Sequence, residues 1–92
     1  MCMLFMVIES FKRGDPAPVG ERFKICGRML PDGVTYQASW IDETGSRCFQ
    51  IMEATDRALL DQWMGHWTDI VEFDVFPIMT SKEAAERIAP RL

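Results

Sequence analysis

The chain has 92 residues, 48% of them apolar, and a formal net charge of −4. That length allows a single domain, 1–92, and that apolar share is ordinary for a globular protein rather than a disordered one. The acidic balance, with ten scattered Lys and Arg, argues against a phosphate-binding face, so no nucleic-acid partner is expected.

Met3 to Glu9 is a nearly continuous apolar run, the pattern of a central strand covered on both faces. Asp15 and Pro16 then open a helix as cap and first residue, and Val19, Phe23, Cys26 and Leu30 recur along one face of it. Pro31-Asp32-Gly33 makes a turn, and Thr35 to Ile41 follows as a strand. Asp42-Glu43-Thr44-Gly45 closes a hairpin with Arg47 to Glu53. If Asp42 opposes Ser46, then Tyr36, Ala38 and Trp40 share a face with Cys48, Gln50 and Met52. Thr55 or Asp56 caps a second helix, with Leu59, Trp63 and Trp67 on one stripe and Leu60 and Met64 beside it. Ile70 to Ile78 is the last strand, with Glu72 and Asp74 on the solvated side of a sheet edge. Thr80 to Glu83 has capping-box spacing and starts a short helix running to about Ala89.

The order β-α-β-β-α-β with a terminal helix is that of an α+β, ferredoxin-like domain: a four-stranded antiparallel sheet with two helices on one face. Helices shield only that face, yet the first strand offers Leu4, Met6 and Ile8 on one side and Met3, Phe5 and Val7 on the other. Leaving ~500 Å² of apolar sheet in water forfeits on the order of 12 kcal/mol of burial, as much as a whole domain's stability. The expected solution is a homodimer through the sheet face, the competing one a monomer whose terminal helix covers the sheet.

The segments Met3-Leu4-Phe5-Met6-Val7-Ile8-Glu9-Ser10-Phe11, Gly27-Arg28-Met29-Leu30-Pro31-Asp32-Gly33, Ser39-Trp40 and Arg47-Cys48-Phe49-Gln50-Ile51-Met52-Glu53 resemble a bacterial family called domain of unknown function 3303. Trp63, Trp67 and the Pro77 segment fit as well, so the resemblance runs from Met3 to about Ala85. It implies no catalytic residues, because the family has no assigned activity. More loosely, the chain is similar to the dimeric α+β barrel proteins, which include antibiotic-biosynthesis monooxygenases, haem-degrading enzymes and muconolactone isomerases. That similarity implies a sheet-to-sheet dimer and a cavity between helices and sheet, without fixing a function.

Four residues stand out as ligand-binding candidates: Trp40, Gln50, Trp63 and His66. The three tryptophans line an aromatic pocket or, on the plainer reading, fill the core and the dimer interface. Gln50, set among apolar neighbours, orients a ligand or bonds across a twofold axis. His66, the only histidine, reads as a general base or haem ligand, or more plainly as a residue suited to a helix C-terminus. Glu9 and Glu53 are expected at strand ends in solvent. Cys2, Cys26 and Cys48 are odd in number and without C-x-x-C spacing, so neither a disulfide framework nor a zinc site is expected. The sequence implies no cofactor and no metal.

No apolar run approaches the ~20 residues of a membrane span, and the apolar start lacks the basic opening and cleavage site of a secretory leader. A cytoplasmic protein with no membrane partner is the default expectation. Two functions remain open: a binder of a hydrophobic or aromatic small molecule, in its enzyme form a cofactor-free oxygenase or isomerase, and a non-catalytic dimeric interaction or regulatory module.

Overall fold

The computed structural model describes residues 2–88. Strands β1 (Met3–Phe11), β2 (Val34–Ile41), β3 (Arg47–Ala54) and β4 (Val71–Ile78) form one antiparallel sheet in the order β2-β3-β1-β4. Helix α1 (Ala17–Cys26) follows β1, α2 (Arg57–Gly65) follows β3, and α3 (Ser81–Ile88) follows β4. This is the ferredoxin-like arrangement expected from the sequence, with β1 and β3 central and β2 and β4 at the edges. The expected end of the last helix near Ala89 lies outside the described residues.

The pleat sorts side chains onto two faces. The inner face of β1 carries Phe5, Val7, Glu9 and Phe11, all buried. Cys48, Met52 and Ala54 of β3, Val34 of β2 and Val71 of β4 join them, and α2 adds Leu60, Trp63 and Met64, with Trp67 just beyond its end. Trp63 meets Phe73 edge-on, ring centroids 5.7 Å apart. Asp56 caps α2 by accepting the Ala58 N–H at 2.9 Å, which settles the choice between Thr55 and Asp56. The capping box forms as expected: Thr80 Oγ1 accepts from the Glu83 N–H, and Glu83 Oε1 accepts from the Thr80 N–H. Gly33 enters β2 at φ +93°, and a Cβ there would lie 2.8 Å from both Leu59 Cδ1 and Thr55 Oγ1. Only glycine fits.

Three expectations are corrected. Strand β1 runs on to Phe11 instead of ending at Glu9, so Glu9 is an interior residue, not a strand end in solvent. Helix α1 starts one residue late: Pro16 holds the capping position, although Asp15 Oδ1 still accepts the Ala17 N–H at 3.0 Å. Its expected apolar face is only half used: Val19 packs on the core, as does Leu30 from beyond the helix's end at Cys26, while Phe23 and Cys26 are exposed.

The third correction is to the hairpin register. Asp42 N–H donates to the Arg47 carbonyl, so Asp42 opposes Arg47 rather than Ser46. Ile41 then opposes Cys48, Trp40 opposes Phe49 and Ser39 opposes Gln50, until a bulge between Tyr36 and Ala38 restores the Tyr36–Met52 pair. The extra residue turns the strand over locally. Ser39 and Ile41 therefore face the helices, and Trp40 and Ala38 face the opposite side.

Candidate functional site

On the inner face of the two central strands, Glu9 pairs with Cys48 and Gln50 with Val7. Glu9 and Gln50 are thus diagonal neighbours, and Gln50 Nε2 donates to Glu9 Oε2 at 2.5 Å. Both are buried, 8% and 4% exposed. Burial pushes the Glu9 carboxyl up to about 7, although the Gln50 hydrogen bond and the charge of Arg28 pull the other way. Burial, and then the neighbouring Glu9 charge, raise the Cys48 thiol to about 12, so Cys48 is a neutral, unreactive side chain.

Above this pair, between sheet and helices, lies a cavity of about 240 Å³. Its apolar wall is Phe11, Ile41, Val19, Phe23, Trp63 and Trp67. Its polar groups are Glu9, Gln50, Ser39 and Arg28, with the Cys48 thiol beside them. Few polar groups converging in an apolar concavity is the ordinary build of a small-molecule site.

Two elements hold the wall in place. Trp63 Nε1 and Trp67 Nε1 both donate to the Arg28 carbonyl, at 3.0 and 3.3 Å. That shared acceptor fixes both indoles and the segment leaving α1. The Arg28 guanidinium lies 3.6 Å from the Tyr36 ring centroid and 5.0 Å from that of Phe23, stacked against both. Among the described residues it has no carboxylate within ion-pair distance. Helix α1, which buries no residue of its own, is tied down by Arg22. That guanidinium donates twice to the Asp69 carboxylate, at 2.7 Å each, and once to the His66 carbonyl at 2.8 Å.

Of the four candidate residues, the structure brings together Gln50 and Trp63. Trp40 stands on the far side of the sheet, 57% exposed, displaced from the cavity by the bulge. His66 is exposed at the C-terminal cap of α2 and takes part through its backbone, not its ring. Glu53 lies on the outer face opposite Leu4 and Thr35, on the other side of the sheet from Gln50, as alternation predicts. Two of the cavity's polar groups were not among those candidates: Glu9, expected at a strand end in solvent, and Arg28. A signal for Glu9 existed: Phe5, Val7 and Phe11 share its parity, so an apolar residue beyond it marks it as inside the strand.

The outer face is different in kind. Even on the central strand β1, Leu4, Met6 and Ile8 stay partly exposed, and Trp40 and Phe76 are half-exposed or more. Beside α3 this face forms a broad depression of about 910 Å³, whose apolar lining includes Leu4, Ile51, Ile78 and Met79. Among the described residues no helix is long and apolar enough to cross a membrane, and no group of three or more His, Cys, Asp or Glu is placed to hold a metal ion.

Sheet order, helix placement and cavity define a ferredoxin-like α+β domain with a pocket between its helices and its sheet. The chain belongs to the family described as Domain of unknown function (DUF3303), whose model matches residues 3–92. No curated protein and no solved structure matches it.

Proposed function

We propose that this protein binds a small hydrophobic or aromatic molecule in the cavity between helices and sheet, with Glu9 and Gln50 hydrogen-bonding its polar group. The observation that supports this reading most is the buried Glu9–Gln50 pair opening onto an aromatic-lined space. A carboxyl inside a core costs stability, and a well-packed apolar residue in its place would remove that cost. The pair makes sense where something polar has to be met. Glu9 is also the cavity group that exchanges a proton near neutral pH, which suits the isomerase form of this function better than one relying on a thiol. The test is a thermal-shift screen with aromatic acids, quinones and haem, read together with tryptophan fluorescence. A ligand in the cavity raises the melting temperature by mass action and perturbs Trp63 and Trp67. A flat panel in both readouts overturns the proposal.

A second reading, the dimeric module, draws on the outer face, and the two are compatible. The occupant we propose for that face is a second copy of the chain. Four strands ~4.8 Å apart, each eight or nine residues long at ~3.3 Å per residue, offer about 500 Å² of projected face. With α3 beside it, this approaches the ~800 Å² per partner of a standard interface. The rim carries both signs of charge, Arg47 and Glu72 flanking Ser10, so a twofold-related copy can answer each with its opposite. Sedimentation should give a particle of twice 10.6 kDa, and Ile51→Glu should halve it. A wild-type particle of 10.6 kDa at micromolar concentration sinks this reading.

A further inference from the structure

We infer that the cavity selects a small carboxylate-bearing molecule, its anionic group paired with Arg28 and its apolar body against Trp63 and Phe23. This rests on the cavity-binding reading above and adds the charge of the ligand. The geometry that carries it is the juxtaposition of an unpaired guanidinium with an apolar, aromatic space. Arg28 is immobilised, stacked on Tyr36 and adjoining Phe23, while its own carbonyl is held by both indoles. A guanidinium fixed in this way keeps its planar fork of donors with little conformational entropy left to lose, which favours a carboxylate over a point anion. Among the described residues no carboxylate lies within ion-pair distance of Arg28, so those donors are not already committed to an acid of the chain.

Glu9 then becomes the companion of the ligand rather than its rival. The titratable or charged groups facing it are Arg28, from the segment after α1, and Cys48, its partner on β3. The other elements around it offer uncharged surfaces: Phe73 from β4, Val19 from α1 and Trp63 from α2. An anion entering this space disfavours the ionised form of Glu9, so Glu9 is protonated in the complex and donates a hydrogen bond. Because the free carboxyl titrates at about 7, binding above that pH takes up a proton, and affinity falls as pH rises.

The experiment uses three probes of one shape: benzoate, neutral benzamide and cationic benzamidine, titrated into the full chain by calorimetry with tryptophan fluorescence alongside. Benzoate should bind about tenfold or more tightly than either isostere at pH 6.5, the scale of a charge-assisted hydrogen bond. Arg28→Met should abolish that preference while leaving benzamide binding in place, and Arg28→Lys should restore part of it. Benzoate affinity should weaken from pH 6.5 to 8.5, with close to one proton taken up at the upper end as read in two buffers of different ionisation enthalpy, and Glu9→Gln should flatten this dependence. If benzamide or benzamidine binds as well as benzoate, the cavity reading stands and the charge selection is overturned. If none of the three binds at millimolar concentration, both fall. A pH-independent benzoate affinity overturns the role given to Glu9.

Discussion

Gln50 reaches diagonally across the two central strands to donate its amide to Glu9, and these are the buried polar side chains that the described core contains. The burial of Glu9, only partly offset by that bond, makes folding pH-dependent in a direction opposite to most carboxylates. Below the ordinary value of 4.5, Glu9 is protonated in both the folded and the unfolded chain. Between 4.5 and about 7 only the folded chain keeps the proton, so stability drains away as pH rises through this window. The full loss is about 3 kcal/mol. Urea unfolding of wild type and of Glu9→Gln should therefore converge at pH 4.5 and separate by about that amount at pH 8, the variant being the more stable. Parallel curves for the two proteins would show that Glu9 titrates normally.

Gln50→Leu addresses the same pair from the other side. The hydrogen bond from Gln50 holds the Glu9 carboxyl down against its burial, so its removal moves Glu9 further up. At pH 5 the variant loses a hydrogen bond to a neutral acid, worth about 1 kcal/mol. At pH 8 it strands a buried carboxylate, and the cost grows to about 2–3 kcal/mol. Denaturation at the two pH values measures the difference, and an equal cost at both would mean the bond does not discriminate the ionised form.

The fold was legible because its signals are local. The apolar run of β1, a cap at Thr55 or Asp56, the Thr80–Glu83 box and the Leu59–Trp63–Trp67 stripe with Leu60 and Met64 beside it each follow from side-chain spacing and capping chemistry, and of the two leucines it is Leu60 that the core buries. The site was legible only in part, because it depends on parity over long distances. One extra residue at Gln37 decides whether Trp40 or Ser39 lies beside Gln50, and no residue type there announces a bulge. Glu9 was misplaced because an acid near an expected strand end reads as solvated, whereas Phe11 two residues on continues the buried face. Arg28 had no sequence signal at all. Its place over Tyr36 comes from the turn after α1, where Gly27 and Met29 both take positive φ.

Gly33→Ala tests how tightly β2 is fitted beneath α2. The new methyl would meet Leu59 Cδ1 and Thr55 Oγ1 at 2.8 Å on a backbone at φ +93° that an L side chain resists. Strain and overpacking together should cost about 2–4 kcal/mol, read as a lowered urea midpoint with an unchanged slope. Gly20→Ala is the control: its Cβ meets nothing within 4 Å and its helical backbone suits alanine, so that variant should be neutral or slightly stabilising. Equal midpoints for the two variants would mean that β2 and the start of α2 are free to move apart.

Helix α1 roofs the cavity yet contributes no buried residue to the core, so its seating depends on Arg22 more than on packing. The guanidinium beside Asp69 holds that carboxyl down to about 2. The sign is the reverse of that at Glu9: this clamp is fully present above the ordinary value of 3.8 and is lost as pH falls toward 2. Arg22→Met should leave the global urea midpoint nearly unchanged, because exposed ion pairs add little to overall stability. Its effect should appear locally, as faster hydrogen exchange at Gly20 and Gly27, whose N–H groups are bonded to the Pro16 and Phe23 carbonyls at the two ends of α1. Asp69→Asn should give a weaker version of the same change, while exchange at Leu60 and Val7 in the core stays as slow as in wild type. With the roof loosened, Trp67, which Arg22 overlies at 5.7 Å from its ring centroid, should become accessible to iodide quenching. Unchanged exchange along α1 in Arg22→Met would mean that Val19 alone seats the helix, and that the cavity is closed by packing rather than by charge.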